Sequence, residues 1–473
     1  MQKSRSDETR CAITTLTGFR TGLHQCWTSW PDAAFELTDT VLCMPSPVAS
    51  VPALSLEPAF RRSHGSLYRA LARGEVDDEA MRELLVEHRP SRWPLVFAVD
   101  ASTWPRCDAE TSPQRGYYYS ASKHSAGQPI VAGWSYQWIT QLDWAADSWT
   151  APMDARRIPV GNDTTTVTVA QVSDLTRRLH HSRIQAQPGR DHTAAAIPIF
   201  VFDAGYDPIA LTHELGDLAA TIVVRIRDDR VFYTDPAPIE PGTIGRPRRH
   251  GHRFSCANPP TWPAPDTELH AQDRRYGTVH VQAWSGLHPK LAGRGRWTHH
   301  DAPPIVTGTV IRIDVEHLPK PTTRTKKTLW LWAAGPGPID LDTCWRAYLR
   351  RFDIEHTFRF CKNTLGWTTP RLCTPDQADR WTWLIAAAYT QLRLARPLVA
   401  DQPLPWEKPA KPGKLTPARV RRGFRRLTAT LGTPTNPPKP SKAGPGRPKG
   451  TRRSPRTRHP AIKKNRLTRR AQV

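Results

Sequence analysis

Residues 197–226 read "IPIFVFDAGYDPIALTHELGDLAATIVVRI". The run "IPIFVF" is apolar and strand-like, and it ends on an acid, Asp203. A helical segment, "DPIALTHELGDL" (207–218), and a short strand, "TIVVRI" (221–226), follow it. Upstream, "WPLVFAVDAS" (93–102) is another apolar β-rich run, and it meets Asp100 at its C-terminal end. Between the two acids, "GYYYSASKHSAGQPIVAGWSYQWI" (116–139) gives two strand-like runs around a Ser/Gly-containing turn, and "TVAQVSDLTRRLHHSRI" (168–184) permits a helix. The resulting order, β-β-β-α-β-α-β, indicates an α/β fold.

Outward from this core the pattern changes. Residues 228–338 are rich in Pro, Gly and basic turns such as "GRPRRHGHRF", and they contain three alternating segments, "TVHVQAW", "GTVIRIDV" and "TLWLWAA". A stretch of this length reads as a β-rich insertion, not a loop. Residues 1–92 form a helical N-terminal region whose clearest element is "DDEAMRELLVEH" (77–88), with Met81, Leu84 and Leu85 on one face. No helix-turn-helix can be named in it, although DNA binding fits the region. The core thus spans 93–227 and resumes at 339–400 with two helices, one capped by Asp340 or Asp342 and stopped by Gly366, the other at "TPDQADRWTWLIAAAYTQLRLAR". From 401 to 473 Pro, Lys and Arg dominate and apolar periodicity fades, which predicts a disordered basic tail. Truncation after about residue 405 is therefore expected to leave a folded chain.

The chain has 473 residues, 38% hydrophobic content and 18 Trp, enough for a sizeable core. A formal charge of +24 and a pI near 10.2 point to a polyanionic partner. No segment approaches the roughly 18 apolar residues of a membrane span, and "MQKSRSDETR" is not a secretory signal. Eight Cys without a C-x-x-C pair suggest neither a zinc ribbon nor a disulfide framework, so a reducing cytoplasm fits. The pairs His180-His181 and His299-His300 lack ligand spacing and read as solvated.

The stretch 348–362, "YLRRFDIEHTFRFCK", has two stripes on a helical wheel. Tyr348, Arg351, Glu355 and Lys362 form a polar stripe that borders an apolar one made of Ile354, Phe358, Cys361 and Leu365. Glu355 therefore sits at the rim of a core. An Arg351 to Glu355 ion pair one turn apart is the plain structural reading. The functional reading begins with Asp100 and Asp203, which close strands of one sheet, where α/β folds bind ligands. If the Glu355 helix packs on that sheet, three carboxylates meet. Such a trio repels itself unless cations neutralise it, and hard oxygen ligands suit two Mg²⁺ or Mn²⁺ ions.

The spacing of Tyr348, Arg351, Glu355 and Lys362 matches the Y-x2-R-x3-E-x6-K signature, and with the order Asp, Asp, β-rich insertion, Glu it resembles DDE transposases of bacterial insertion sequences, of the actinobacterial type. The resemblance covers roughly residues 93–395 and implies an RNase H-like mixed sheet with flanking helices, interrupted by the insertion. It implies that Asp100, Asp203 and Glu355 bind two metal ions and catalyse DNA cleavage. Tyr348, Arg351 and Lys362 would hold DNA near the scissile phosphate. In some relatives an aromatic of the insertion captures a flipped base, a role open here to Trp284, Trp330 or Trp332, although strand packing is the plainer reading of each. The implied activity is cleavage at element ends and strand transfer into target DNA, by a homodimer in the synaptic complex, in a bacterial cytoplasm on the nucleoid. The alternatives are a metal-dependent nuclease that does not join, and a catalytically idle DNA-binding remnant or repressor. In the tail, Gly446-Arg447-Pro448 resembles an AT-hook that lays Arg447 in the minor groove, with Pro445 where an Arg usually stands. A polybasic tail binding any phosphate backbone is the simpler reading.

Overall fold

The computed structural model describes residues 2–120, 129–186, 196–238, 247–293, 295–299, 302–318, 326–411, 413–440, 448–450 and 454–462. Arg447 lies outside the described residues. The N-terminal region holds α1 (Gln2–Gln25), β1 (Trp27–Ser29), α2 (Pro31–Cys43), α3 (Val51–Leu54), α4 (His64–Arg73), β2 (Glu75–Val76) and α5 (Asp78–Glu87). On α5, Asp77 caps the first turn through Glu79 and Ala80, and Met81, Leu84 and Leu85 are buried as the spacing predicts.

The core follows as β3 (Val96–Pro105), β4 (Gly116–Tyr119), β5 (Ile130–Leu142), β6 (Thr150–Ile158), α6 (Thr164–Ala186), β7 (Ile199–Phe202), α7 (Pro208–Glu214) and β8 (Thr221–Ile226). One more strand is present than the sequence suggested. Strand β6, "TAPMDARRI", carries Pro152 and alternates poorly, which hid it. It is tolerated because β6 pairs with β5 alone and its register shifts beside Pro152.

Strand β5 runs antiparallel to both β3 and β6, whereas β3, β7 and β8 are parallel. The spatial order β6-β5-β3-β7-β8 is the mixed sheet expected of an RNase H-like core. The β-rich stretch that follows contains β9 (Val231–Tyr233), β10 (Arg253–Ser255), β11 (Thr267–Asp273), β12 (Gly277–Leu287), β13 (Gly308–Val315) and β14 (Thr328–Ala334). Because β14 pairs antiparallel with β8, strands β11 to β14 extend the central sheet to ten strands. Strand β11, "TELHAQD", was not anticipated, since its outer face is wholly polar.

Helices α8 (Leu341–Arg350), α9 (Asp353–Asn363), α10 (Pro375–Ala395) and α11 (Pro417–Leu431) follow in the described residues. Asp340 caps α8 by accepting from Thr343 N–H at 3.2 Å. Gly366, at φ 74°, turns the chain after α9 where a Cβ would strike Val48. The expected single helix over 348–362 is instead two. Arg351 and Phe352 keep right-handed helical angles. However, Ile354 and Glu355 N–H bond three residues back to Arg351 and Phe352, which offsets α9 from α8.

The tail expectation needs a correction. Helix α11 lies inside the segment expected to be disordered, and Val420 and Phe424 are fully buried with Leu427 and Leu431 packed beside them. These apolar positions recur at helical spacing, but the Arg residues between them masked the period. Pro417 occupies the first turn, where proline starts a helix instead of breaking it. The Arg421 guanidinium donates to Val41 and Ser46 carbonyls, which ties α11 to α2. No helix among the described residues is long and apolar enough to cross a membrane.

Truncation near residue 405 therefore removes part of the core. Phe424→Ala is expected to destabilise the fold by about 3–5 kcal/mol, read as a lower urea midpoint at unchanged slope.

Candidate active site

The register of the parallel pair brings the two aspartates together. Ala98 is aligned with Val201, so two residues further along each strand the same offset aligns Asp100 with Asp203. On its other side Asp100 is opposite Trp138 of β5, and directly opposed residues share a face of the sheet. Trp138 is fully buried, with Phe358 edge-on at 5.9 Å and Trp367 at 4.9 Å. These aromatic contacts seat α9 on the Asp100 face. All four residues of its apolar stripe, Ile354, Phe358, Cys361 and Leu365, are buried. Glu355, one step off that stripe, is left half-buried at the rim beside the aspartates.

Arg351 does not pair with its neighbour on the helix. Its Nη1 donates to Asp100 Oδ2 at 3.0 Å, and both side chains are largely buried. Ala101 N–H donates to the other oxygen at 2.8 Å. Asp203 Oδ1 accepts from Gly205 N–H at 2.7 Å, a local turn that fixes the carboxylate. Tyr206 stands close to both aspartates; burial raises its hydroxyl's pKa, and the charges of Asp100 and Asp203 raise it further. Its hydroxyl donates to Gln137 Oε1 at 3.0 Å.

The electrostatics favour an added cation. Burial pushes the Asp100 carboxyl up from 3.8 to about 7, the charges of Glu355 and Asp203 push the same way, and Arg351 opposes them without prevailing. Asp100, Asp203, Tyr348 and Glu355 in turn raise the Arg351 pKa against its own desolvation. A buried carboxylate with two further carboxylates acting on it, and only hard oxygen donors and one guanidinium nearby, fits a divalent ion.

The remaining expected site residues surround this centre. Tyr348 is buried, with the Arg351 guanidinium 5.9 Å from its ring centre. Lys362 donates to the Thr103 carbonyl at 3.4 Å and lies 5.7 Å from the centre of the Trp367 ring. Trp284, Trp330 and Trp332 serve strand packing: all three are buried, packed with Phe254, Trp262 and Phe232, and none presents a ring to a flipped base. Beside α8 a cavity of about 590 Å³ is lined by Arg274, Arg275, Arg346 and Arg350 with Trp144 and Trp345, a cationic wall suited to phosphates. Sequence reasoning missed Trp138 and Tyr206. The alternation of Trp134, Tyr136 and Trp138 in "GWSYQWI" was a usable sign of one aromatic face. Tyr206 had none.

A family model described as a DDE superfamily endonuclease matches residues 22–290. The matched span contains Asp100 and Asp203 and stops before Glu355. No curated protein matches the chain.

Asp100 keeps its proton up to about pH 7 in the folded chain and releases it near 3.8 when unfolded. The folded state then binds more protons between those values, and stability falls as pH rises through them. Arg351→Ala removes the one opposing charge, so its penalty, about 3–5 kcal/mol for a broken buried pair, is expected to be larger at pH 8 than at pH 5 in chelator, as measured by urea denaturation.

Proposed function

Since the chain belongs to the DDE superfamily endonucleases, we propose that it is a transposase, which cuts DNA at the ends of an insertion sequence and joins the freed 3′-hydroxyl to target DNA. The observation that carries this reading is that Asp203, at the end of the neighbouring strand, and Glu355, on the helix packed over that face, both lie near enough to Asp100 to raise its pKa. Asp100, Asp203 and Glu355 would hold two Mg²⁺ ions, with Mn²⁺ as a substitute. When bound, these ions activate an attacking oxygen and stabilise the leaving one at a phosphodiester.

The chain's own residues do the rest. The register of β3 and β7 and the aromatic seat of α9 fix the backbone positions from which the three carboxylates reach the site. Arg351 holds Asp100 by a hydrogen bond at rest and exchanges it for a DNA phosphate in the complex, with Tyr348 backing its guanidinium. Lys362, two turns beyond Glu355 on the same stripe, contacts the neighbouring phosphate. The charge of +24 draws duplex DNA to the surface and makes binding salt-dependent. Arg447 and the surrounding cations add phosphate contacts. Joining two element ends requires two active sites, hence a homodimer in the synaptic complex, on the nucleoid of a bacterial cytoplasm.

Asp100→Ala, Asp203→Ala and Glu355→Ala are each expected to abolish Mg²⁺-dependent cleavage of end-containing DNA while gel-shift binding persists. Lys362→Ala should slow cleavage with metal affinity unchanged. Full cleavage by the Glu355 variant would overturn the assignment. A protein that cleaves but never joins labelled ends to a target plasmid would reduce it to a nuclease.

A further inference from the structure

The hairpin of β11 and β12 carries a second group of donors, on the outer edge of the sheet and remote in chemistry from the three acids. Glu268 and His270 stand two residues apart on β11 and so share a face, as do His280 and Gln282 on β12. The register sets Glu268 opposite Gln282 and His270 opposite His280. The two imidazoles stack 4.3 Å apart and 6° from parallel. His280 Nε2 lies 2.6 Å from Glu268 Oε1, and Gln282 Nε2 donates to the same oxygen at 2.8 Å. One ligand atom from each of Glu268, His270 and His280 lies within 4.8 Å of the other two, the only trio of His, Cys, Asp or Glu among the described residues to do so.

The cluster stands on a rigid base. On the opposite face Val279 and Val281 are fully buried, and Leu269 and Ala271 pack against the same core. The backbone positions of all three donors are thereby fixed before any ligand arrives. Gln282 is itself held from the next strand, where Arg312 Nη1 donates to its Oε1 at 3.5 Å. Asp314 pairs with Arg312 at 3.0 Å and offsets that charge near the cluster.

We propose that Glu268, His270 and His280 bind a Zn²⁺ ion that cross-links the two strands of this edge hairpin. Two imidazole nitrogens and one carboxylate oxygen are a borderline donor set, which favours Zn²⁺ over Mg²⁺ and leaves a fourth position for water on the exposed side. Gln282 orients the carboxylate, as outer-shell partners of metal ligands do. The ion would act on structure: β11 pairs with β12 alone, and the turn that joins them, Arg274 to Tyr276, forms one wall of the cationic cavity beside α8. Pinning β11 fixes that wall. The proposal does not depend on the DNA chemistry, and its site is distinct from the Asp100 centre.

The test uses the full chain stripped of metal, titrated with Co²⁺ as a visible-absorption probe and with Zn²⁺ by calorimetry at a pH where imidazole is neutral. One high-affinity equivalent is expected, with the Co²⁺ band abolished by Zn²⁺ and untouched by Mg²⁺. His280→Ala and Glu268→Gln, both at the surface, should lose the band while circular dichroism stays the same. Gln282→Ala should weaken binding by about 10–100-fold. Asp203→Ala should bind Zn²⁺ as the unaltered chain does. Absence of binding overturns the proposal. A band that survives in the His270→Ala/His280→Ala double variant does so too, since it would place the ion on other ligands, the exposed Cys11, Cys107 and Cys373 included.

Discussion

A carboxylate buried in the middle of a sheet, facing one guanidinium and two further acids, is the constraint around which the molecule is arranged. Asp100 cannot be satisfied by its own strand beyond the Ala101 N–H. Its countercharge has to come from outside the sheet, and Arg351 is delivered by the junction of α8 and α9. The junction's geometry follows from that need. Three-residue hydrogen bonds tighten the chain at Arg351 and Phe352, so that Arg351 reaches inward while Phe352 remains exposed. The turn is pinned beside it by Arg350, which pairs with buried Asp353 at 2.6 Å. Burial pushes the Asp353 carboxyl up to about 6, so this second pair also depends on its arginine.

Much of this site was legible in the sequence because its parts are local. An apolar run that stops at an acid marks Asp100 and Asp203, and the apolar stripe on α9 marks Glu355 as a rim residue. The parts set by pairing were not legible. The alignment of Ala98 with Val201 decides that the two aspartates are neighbours, and no local signal encodes a register between strands a hundred residues apart. The partner of Arg351 was missed for the same reason. A neighbour four residues along the helix is visible in the sequence, while an acid 251 residues away is not. The hairpin donors Glu268, His270 and His280 show the same limit, since their pattern exists only across two strands.

The fold's remaining surprises trace to α10. Every residue from Ala378 to Leu392 except Asp379 and Arg380 is buried, because the helix is covered by α1, α2, α4 and α11 and rests on β6. The N-terminal helices and α11 therefore meet on it. Arg20 of α1 pairs with Asp39 at 2.6 Å and donates to Gln391 of α10 at 2.8 Å. Glu36 of α2 accepts from Thr435, beyond α11, at 3.3 Å. A composition-based reading sees a Pro-rich basic tail. The packing makes part of it the cover of the helix that closes the core.

Placing three acids together opposes folding, and something apolar has to outweigh them. On β5, Trp134, Tyr136 and Trp138 alternate onto the Asp100 face and are all buried, joined by Trp104, Phe358 and Trp367. Each such side chain buries about 150–250 Å², which at about 25 cal/mol per Å² is worth several kcal/mol, comparable to the penalty of one unpaired buried charge. The aromatic seat thus does two things at once. It stabilises a sheet weakened by its own carboxylates, and it fixes the helix that brings the third carboxylate to them. Without that seat the acid cluster would have nothing apolar to offset its repulsion, and without the acids the seat would leave a more stable sheet.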